Sequence, residues 1–447
     1  MSSIITNAFR IENLKAMQAA LVDTANNSFY LCLAKPDAWD NEAAPDTPKD
    51  SLTKVKEFWD GAFMGKKVLS TNTRQGIYLR RWVSGQVYDM YRDDYDGTVA
   101  TKNLDGSDRT PAPSSLFDTN FYVINPATLG VYKCLYNRSH TTNLPVPSTD
   151  NSFLSDTSSN VVHGSDGYDW KFMYTVTTGD AVLFNTPNFV AADTTGTAAL
   201  VDGGIYAVVV STVGVYTGAP TVVITGDGSA AAATAHIAGG GVVWVEMTNP
   251  GSGYTHATIS FTGGTGAGGT VANAIMSPIG GHGTAPADEL GGIYLMIQQK
   301  FIADETGYAP ITNDFRQIGF LKNPTSATVL VTAPLIQMCG AINLAGASSP
   351  GNFAADALIT GSAQGAGKVV DYNTASHVIR YIQDWDVDPR PFIVSGTVTD
   401  TTNTGTINSL TPPDVDPYTG ALIYFENRIA VVRDVVQTED CRLIVEF

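Results

Sequence analysis

Long apolar runs are missing from this chain, and no stretch approaches the roughly 20 residues of a membrane-spanning helix, so no such helix is expected. The N-terminal Met1-Ser-Ser-Ile-Ile-Thr-Asn7 has no basic segment leading into an apolar core, so an export signal is not expected either, and the sequence reads as a soluble cytoplasmic product. Positive charge is scarce: 26 Lys and Arg stand against 43 Asp and Glu, a net charge of -17. Such a surface repels nucleic acid and anionic membrane at long range, so neither is expected as a partner. Cysteine is limited to Cys32, Cys134, Cys339 and Cys441, with no CxxC pair among them. Buried thiols in a reducing compartment are the first reading, and a zinc site assembled by the fold is the alternative.

Catalytic signatures are absent too. There is no GxSxG and no HExxH. The glycines of Gly263-Gly-Thr-Gly-Ala-Gly-Gly269 lack the lysine and the strand-to-helix setting of a phosphate loop, so they read as a turn. His140, His163, His236, His256, His282 and His377 never fall at metal-ligand spacing. No cofactor, no metal and no enzymatic activity are expected.

What the chain has in quantity is glycine, 43 residues of 447, with 10% aromatic and only 15% charged residues. Disorder would need fewer aromatics and more charge, so this composition predicts a turn-rich, mainly β protein with a few helices, an α+β fold. Apolar residues at Ile11, Leu14, Met17, Leu21 and Val22 predict a helix after Asn7, and Leu52, Val55, Phe58, Trp59 and Phe63 a second from Asp50 or Ser51 to Gly65. Strands are predicted at 29–33, 166–176, 292–298 and 314–321, and a hairpin from 121–124 and 130–135 around Asn125-Pro126. The last 28 residues predict three strands, 421–425, 429–436 and 441–447, with Glu426-Asn-Arg428 as the turn between the first two. Cys441, Leu443, Val445 and Phe447 alternate onto one face of the last strand, which pins the C-terminus inside a sheet.

Two stretches differ in composition. Between 200 and 285, Val215-Tyr-Thr217 followed by Thr221-Val-Val-Ile-Thr-Gly226 recurs as Gly253-Tyr-Thr255 and Thr258-Ile-Ser-Phe-Thr-Gly263. A repeat of this length is a single supersecondary unit that must stack on its copy to bury a face. Residues 336–415 carry a predicted hairpin, 368–372 and 378–382, about Asn373-Thr-Ala-Ser376. The expected organisation is a discontinuous main domain (1–195, 286–335, 416–447) interrupted by two small inserted β modules (200–285, 336–415).

Acidic clusters supply the remaining chemical candidates. Asp94-x-Asp96-Gly97, after Asp93, is a truncated calcium loop, and Asp384, Asp386 and Asp388 around Trp385 have the residue types of a glycosidase. Solvated acidic turns are the plainer reading of both. Glu426 with Arg428 has no second acid or nucleophile beside it and reads as a local pair.

A series of motifs carries a family resemblance. Pro36-Asp-Ala-Trp39, Arg80-Arg-Trp82, Val131-Tyr-Lys-Cys-Leu135, Asp166-Gly-Tyr-Asp-Trp170, Phe315-Arg-Gln-Ile318 before Asn323-Pro324, and Ile423-Tyr-Phe-Glu-Asn-Arg428 followed by Gln437-Thr-Glu439 together resemble the baseplate wedge subunits of T-even-like contractile-tailed bacteriophages, the gene-eight product type. The resemblance covers about residues 25–190, 290–325 and 420–447. It implies a structural virion protein assembled in the host cytoplasm, a homodimer bound to other baseplate wedge proteins in a baseplate that rearranges on sheath contraction. Its family-type positions are Trp39, Arg80, Arg81, Trp82, Tyr168, Trp170, Arg316, Glu426 and Arg428, divided between core and interface. The segments 200–285 and 336–415 depart from the pattern, as outward decorations or as a fibre-binding surface. A carbohydrate- or receptor-binding tail protein acting through the Gly-rich insertion is the competing reading, and a depolymerase using the acids near Trp385 a third.

Overall fold

A computed structural model describes residues 4–195, 198–303, 305–346 and 351–447. The first three residues of the N-terminal stretch assessed for an export signal lie outside them. Strand makes up 41% of the chain and helix 11%, so the fold is β-rich α+β. Among the described residues no helix is long and apolar enough to cross a membrane. The chain forms two compact units: Met1–Leu14, Arg74–Met296 and Glu446–Phe447 make the first, Lys15–Thr73 and Ile297–Val445 the second.

In the first unit the strands Tyr122–Ile124, Gly130–Asn137, Tyr168–Thr175 and Val161–His163 form one antiparallel sheet in that order. The hairpin at its start turns where the Asn125 side chain accepts the Ala127 N–H at 2.8 Å, the Asx geometry that makes Asn a turn residue. Tyr168, Trp170, Phe153 and Tyr132 are almost fully buried against the sheet.

The repeat folds as two copies of three strands, Ile205–Val215, Thr221–Gly226 and Ala232–Ala238, then Gly241–Asn249, Ala257–Thr262 and Gly268–Met276. Equivalent middle strands pair antiparallel, Thr221 opposite Thr262 and Gly226 opposite Ala257, so the copies meet about a local two-fold. The outer strands cross over: Ala232–Ala238 pairs with Gly241–Asn249, and Gly268–Met276 with Ile205–Val215. Tyr216 and Tyr254, one per copy, are buried in the shared core with Val208, Val242 and Val245. Their backbone N–H groups donate to matching partners, Gly240 O at 2.8 Å and Gly203 O at 3.1 Å.

The second unit is built on a five-stranded antiparallel sheet, Leu335–Gln337, Ala62–Val68, Phe29–Ala34, Phe315–Lys322 and Ala421–Val431 in order. The helix Leu52–Gly61 is capped by the Ser51 hydroxyl, which accepts the Lys54 N–H at 3.3 Å. It packs Phe58 and Trp59 against Tyr30, Cys32, Leu321 and Ile336. The helix stops at Gly61, four residues before the expected end, because Ala62 to Val68 are drawn into register with Phe29–Ala34. Gly65 serves the sheet: a Cβ there would lie 2.9 Å from Ile336 Cγ1. The segment Gly340–Thr411 closes into a six-stranded barrel around Ile342, Ile359, Ile379 and Ile407. Its hairpin Ala366–Asn373 and Val378–Gln383 turns where the Asn373 side chain accepts the Ala375 and Ser376 N–H groups at 3.0 Å.

Three local expectations are corrected. Thr6, not Asn7, caps the first helix, its Oγ1 accepting the Phe9 N–H at 3.3 Å, and that helix runs Asn7–Val22. Glu426-Asn-Arg428 is no turn: it lies inside one continuous strand, Ala421–Val431, where Glu426 faces Ile318 and Asn427 faces Gln317. A polar triplet persists there because the strand is the sheet's edge and is half open to solvent. In the final strand, Thr438–Glu446, Cys441 and Leu443 are buried, but Val445 and Phe447 are only partly covered.

Candidate functional site

Four of the family-type positions, from three distant segments, converge in the second unit. The loop after Phe29–Ala34 folds over the edge strand, where Trp39 Nε1 donates to the Arg428 carbonyl oxygen at 2.7 Å. The Trp39 N–H donates to Glu42 Oε1 at 2.8 Å, and Glu42 in turn accepts from Arg316 Nε at 2.6 Å. The Arg316 guanidinium, 8% exposed, also donates to Asp314 at 2.7 Å and to the Pro36 carbonyl oxygen at 2.5 Å. Partial burial pushes the Glu42 carboxyl up, but the Trp39 N–H and the guanidinium outweigh it and hold it below the usual range. Glu426 and Arg428 share one face of the strand, two residues apart, and pair at 3.0 Å. The Asn427 amide donates to the Asp46 carbonyl oxygen at 2.7 Å, closing the loop's far end. The loop thereby occupies hydrogen-bonding positions that an edge strand otherwise offers to another chain.

The other positions belong to the first unit. Tyr168 and Trp170 are core: Trp170 stacks on Phe153 at 4.5 Å, and the Tyr168 hydroxyl donates to the Val146 carbonyl oxygen at 2.6 Å. Trp82 is half-buried, edge-on to Phe153 at 6.1 Å. Arg80 lies 4.8 Å from the centre of the Tyr122 ring and donates to the carbonyl oxygens of Thr119 and Phe117. Arg81 is exposed.

Each acidic cluster is organised by its own neighbours. Arg92 grips Asp94 through two bonds of 2.7 Å, and Asp96 accepts the Thr98 N–H at 2.9 Å. Asp384 Oδ1 accepts the Asp386 and Val387 N–H groups at 3.1 and 3.0 Å, and Asp388 is held well below its ordinary range by the Arg390 side chain. No group of three His, Cys, Asp or Glu suited to a metal ion occurs among the described residues. All four cysteines are free and buried, and burial pushes the Cys339 and Cys441 thiols up to about 12.

Beside the Asp384 turn the second unit has a two-part cleft. One chamber, about 360 Å³, is walled by Trp59, Met338, Tyr381 and several prolines. The other, about 400 Å³, is walled by Lys35, Asp37, Trp39, Lys368 and Asp386. Asp60, Ile382, Gln383 and Trp385 line both, so the two chambers are neighbours. Trp385 and Tyr418 are each more than 40% exposed, with ring centres 6.4 Å apart. The Tyr418 hydroxyl donates to the Asp60 carboxylate, whose pKa burial raises.

Two arrangements carry no signal in the sequence spacing. His140 and His236 both stack on Trp244 at 4.1 Å, nearly parallel to it. Two rings at one distance fit only on opposite faces of the indole, so the stack separates these histidines rather than joining them at an ion. Deeper in the first unit, the fully buried ammonium of Lys133 pairs with Glu289 and lies 4.7 Å from the Tyr91 ring centre. His282 packs edge-on to that same ring at 4.8 Å. Lys171, equally buried, donates to the carbonyl oxygens of Phe172 at 3.0 Å and Ala198 at 3.3 Å, and burial with the nearby Lys133 charge lowers it to about 8.

No protein-family model matches this chain, and no curated protein sequence matches it.

Proposed function

We propose that this chain is a structural, non-enzymatic component of a phage tail baseplate wedge, a homodimer that joins neighbouring wedge subunits and takes part in baseplate assembly and its rearrangement on sheath contraction. The observation that carries the reading is the convergence of Trp39, Arg316, Glu426 and Arg428, quoted above for their resemblance to that family, in one fastening between a loop and an edge strand. Positions scattered over the whole sequence have a common structural task here, as in a protein whose function is to hold shape under load. The exposed Arg81 is the family-type position best suited to a partner, since arginine is enriched in protein interfaces. The segments 200–285 and 336–415 add surface for further contacts, a tail fibre among them.

The test is to tag the chain in its phage, purify intact tails and locate it by electron microscopy, with sedimentation of the purified chain alongside. Density at the periphery of each wedge and a dimer in solution are the expected results. Absence from finished particles, or a monomer with no affinity for wedge proteins, overturns the proposal.

A further inference from the structure

The cleft of the second unit has the chemistry of a ligand site that the structural reading leaves unused. We propose that it binds a neutral oligosaccharide, with Trp385 as the stacking platform and Asp60, Asp386 and Lys368 as hydrogen-bonding groups. The inference is independent of the baseplate reading.

The shape comes first. The two chambers, about 360 and 400 Å³, each lie within the range of small-ligand sites. Asp60, Ile382, Gln383 and Trp385 line both, so two neighbouring chambers flank the Trp385 side chain, an arrangement suited to successive rings of one chain. Trp385 stands at the junction with 42% of its surface exposed, and Tyr418 beside it with 44%. Tyr418 is in turn backed edge-on by Trp59, itself only 7% exposed, at 6.3 Å. An exposed indole supported by further rings offers a rigid apolar face at little conformational cost, and the C–H face of a pyranose is its complement.

Charge then selects the ligand class. The wall of the second chamber carries carboxylates at Asp37, Glu57, Asp60, Asp384 and Asp386 and ammonium groups at Lys35 and Lys368. Lys368 pairs with Asp37, and Lys35 sits over the Trp39 ring at 4.5 Å. With five carboxylates against two lysines that are already engaged by Asp37 and the Trp39 ring, the wall repels an anionic ligand. A ligand without net charge but with many hydroxyls meets no such repulsion, because each hydroxyl donates to a carboxylate or accepts from an ammonium. Asp384 Oδ1 is committed to its own turn and Asp60 Oδ1 to the Tyr418 hydroxyl, which leaves one oxygen of each and the Asp386 carboxylate as acceptors. The proposal concerns binding alone and involves no bond cleavage.

The experiment titrates the full-length chain with hexasaccharides of glucose, of galactose and of N-acetylglucosamine, and with hexalysine and hexaglutamate, following tryptophan fluorescence and calorimetry. Saturable binding of at least one hexasaccharide is expected, weakened about tenfold by Trp385→Ala, much less by Trp385→Phe, and severalfold by Asp386→Asn. Both altered side chains are exposed, so unchanged melting curves will show that the variants are folded. Failure of all three hexasaccharides to bind, binding indifferent to Trp385→Ala, or tighter binding of either charged peptide overturns the proposal. A tail that contains this chain but shows no saccharide binding would sink this inference and leave the baseplate reading intact.

Discussion

Trp39 and Arg428, 389 residues apart in sequence, are joined by one hydrogen bond of 2.7 Å from the indole nitrogen to the backbone carbonyl oxygen. The bond closes the proline-rich loop over the sheet's outer strand, and two further bonds tie the loop down, from Arg316 to Glu42 and from Asn427 to the Asp46 carbonyl oxygen. Trp39→Phe keeps the ring and removes the donor, so it should lower stability by about 0.5–1.5 kcal/mol. Trp39→Ala removes the ring as well and should cost more. Urea midpoints at constant slope will measure both, and a phenylalanine variant indistinguishable from wild type would show that the bond contributes nothing.

Arg316 is the more consequential member of that fastening. Its side chain is 8% exposed and serves two carboxylates and a backbone carbonyl at once. Arg316→Met leaves the Pro36 carbonyl without this donor and places Glu42 and Asp314 beside an apolar chain. A loss of about 1–3 kcal/mol is expected, because the hydrogen bonds of the buried guanidinium are lost while the partly exposed carboxylates of Glu42 and Asp314 regain water. Arg316→Lys keeps the charge without the fork geometry and should fall between the two. Equal stability of the methionine and lysine variants would contradict this account.

These two fastenings also mark how far the sequence could be read. Periodicity and caps located the helix starting after Ser51, the hairpin about Asn125 and the repeat, because those signals are local. Glu426-Asn-Arg428 was read as a turn because polar triplets usually are, and only tertiary pairing to Phe315–Lys322 holds it in a strand. The predicted second helix is too long for the same reason: Phe63 continues the spacing of Leu52, Val55, Phe58 and Trp59, but pairing with Phe29–Ala34 draws Ala62–Val68 into the sheet. The acids near Trp385 were visible as residue types, whereas their place in a cleft with Trp59 and Lys368 depends on segments hundreds of residues apart. The stack of His140, Trp244 and His236 is invisible to spacing for the same cause.

The local two-fold of the repeat makes a symmetric prediction. Tyr216 and Tyr254 are 5% and 7% exposed, occupy equivalent places in one core, and donate from matching N–H groups. Tyr216→Ala and Tyr254→Ala should therefore each cost about 3–5 kcal/mol, and by similar amounts. The glycines that accept those bonds are not equivalent in space. A Cβ on Gly203, at φ +64, would lie 2.4 Å from the Tyr254 nitrogen, whereas one on Gly240, at φ +85, meets nothing within 4 Å. Gly203→Ala should then destabilise clearly more than Gly240→Ala, which bears only the backbone strain of a left-handed position. Thermal melts of the four variants will decide, and a reversed order of the glycine pair would exclude the described contact.

The buried Lys171 opposes the loss of stability that the buried thiols and tyrosines impose at alkaline pH. Burial and the neighbouring Lys133 lower its folded pKa from 10.5 to about 8, with Glu289 opposing. From about pH 8 upward the unfolded chain therefore still holds a proton that the folded chain has released, so the contribution of Lys171 to folding stability rises with pH, by at most about 1.4 kcal/mol per pH unit for one proton. Lys133, lowered by the same burial, adds in the same sense. The four buried thiols act in the opposite sense: burial raises Cys32, Cys134, Cys339 and Cys441, so they ionise first in the unfolded chain from about pH 8.5 and together outweigh the two lysines. Near pH 10 the tyrosines add to that fall, because burial raises Tyr91, Tyr168 and Tyr174 in the fold. His282 has the sign of the lysines on the acid side: burial lowers its pKa well below 6.5, so the unfolded chain takes up a proton there and stability falls as pH drops. Urea unfolding between pH 7 and 10 should show stability falling above about pH 8.5, and falling more steeply in Lys171→Met, which lacks the opposing lysine contribution. Equal slopes in the two proteins would mean that Lys171 keeps its proton in the folded protein.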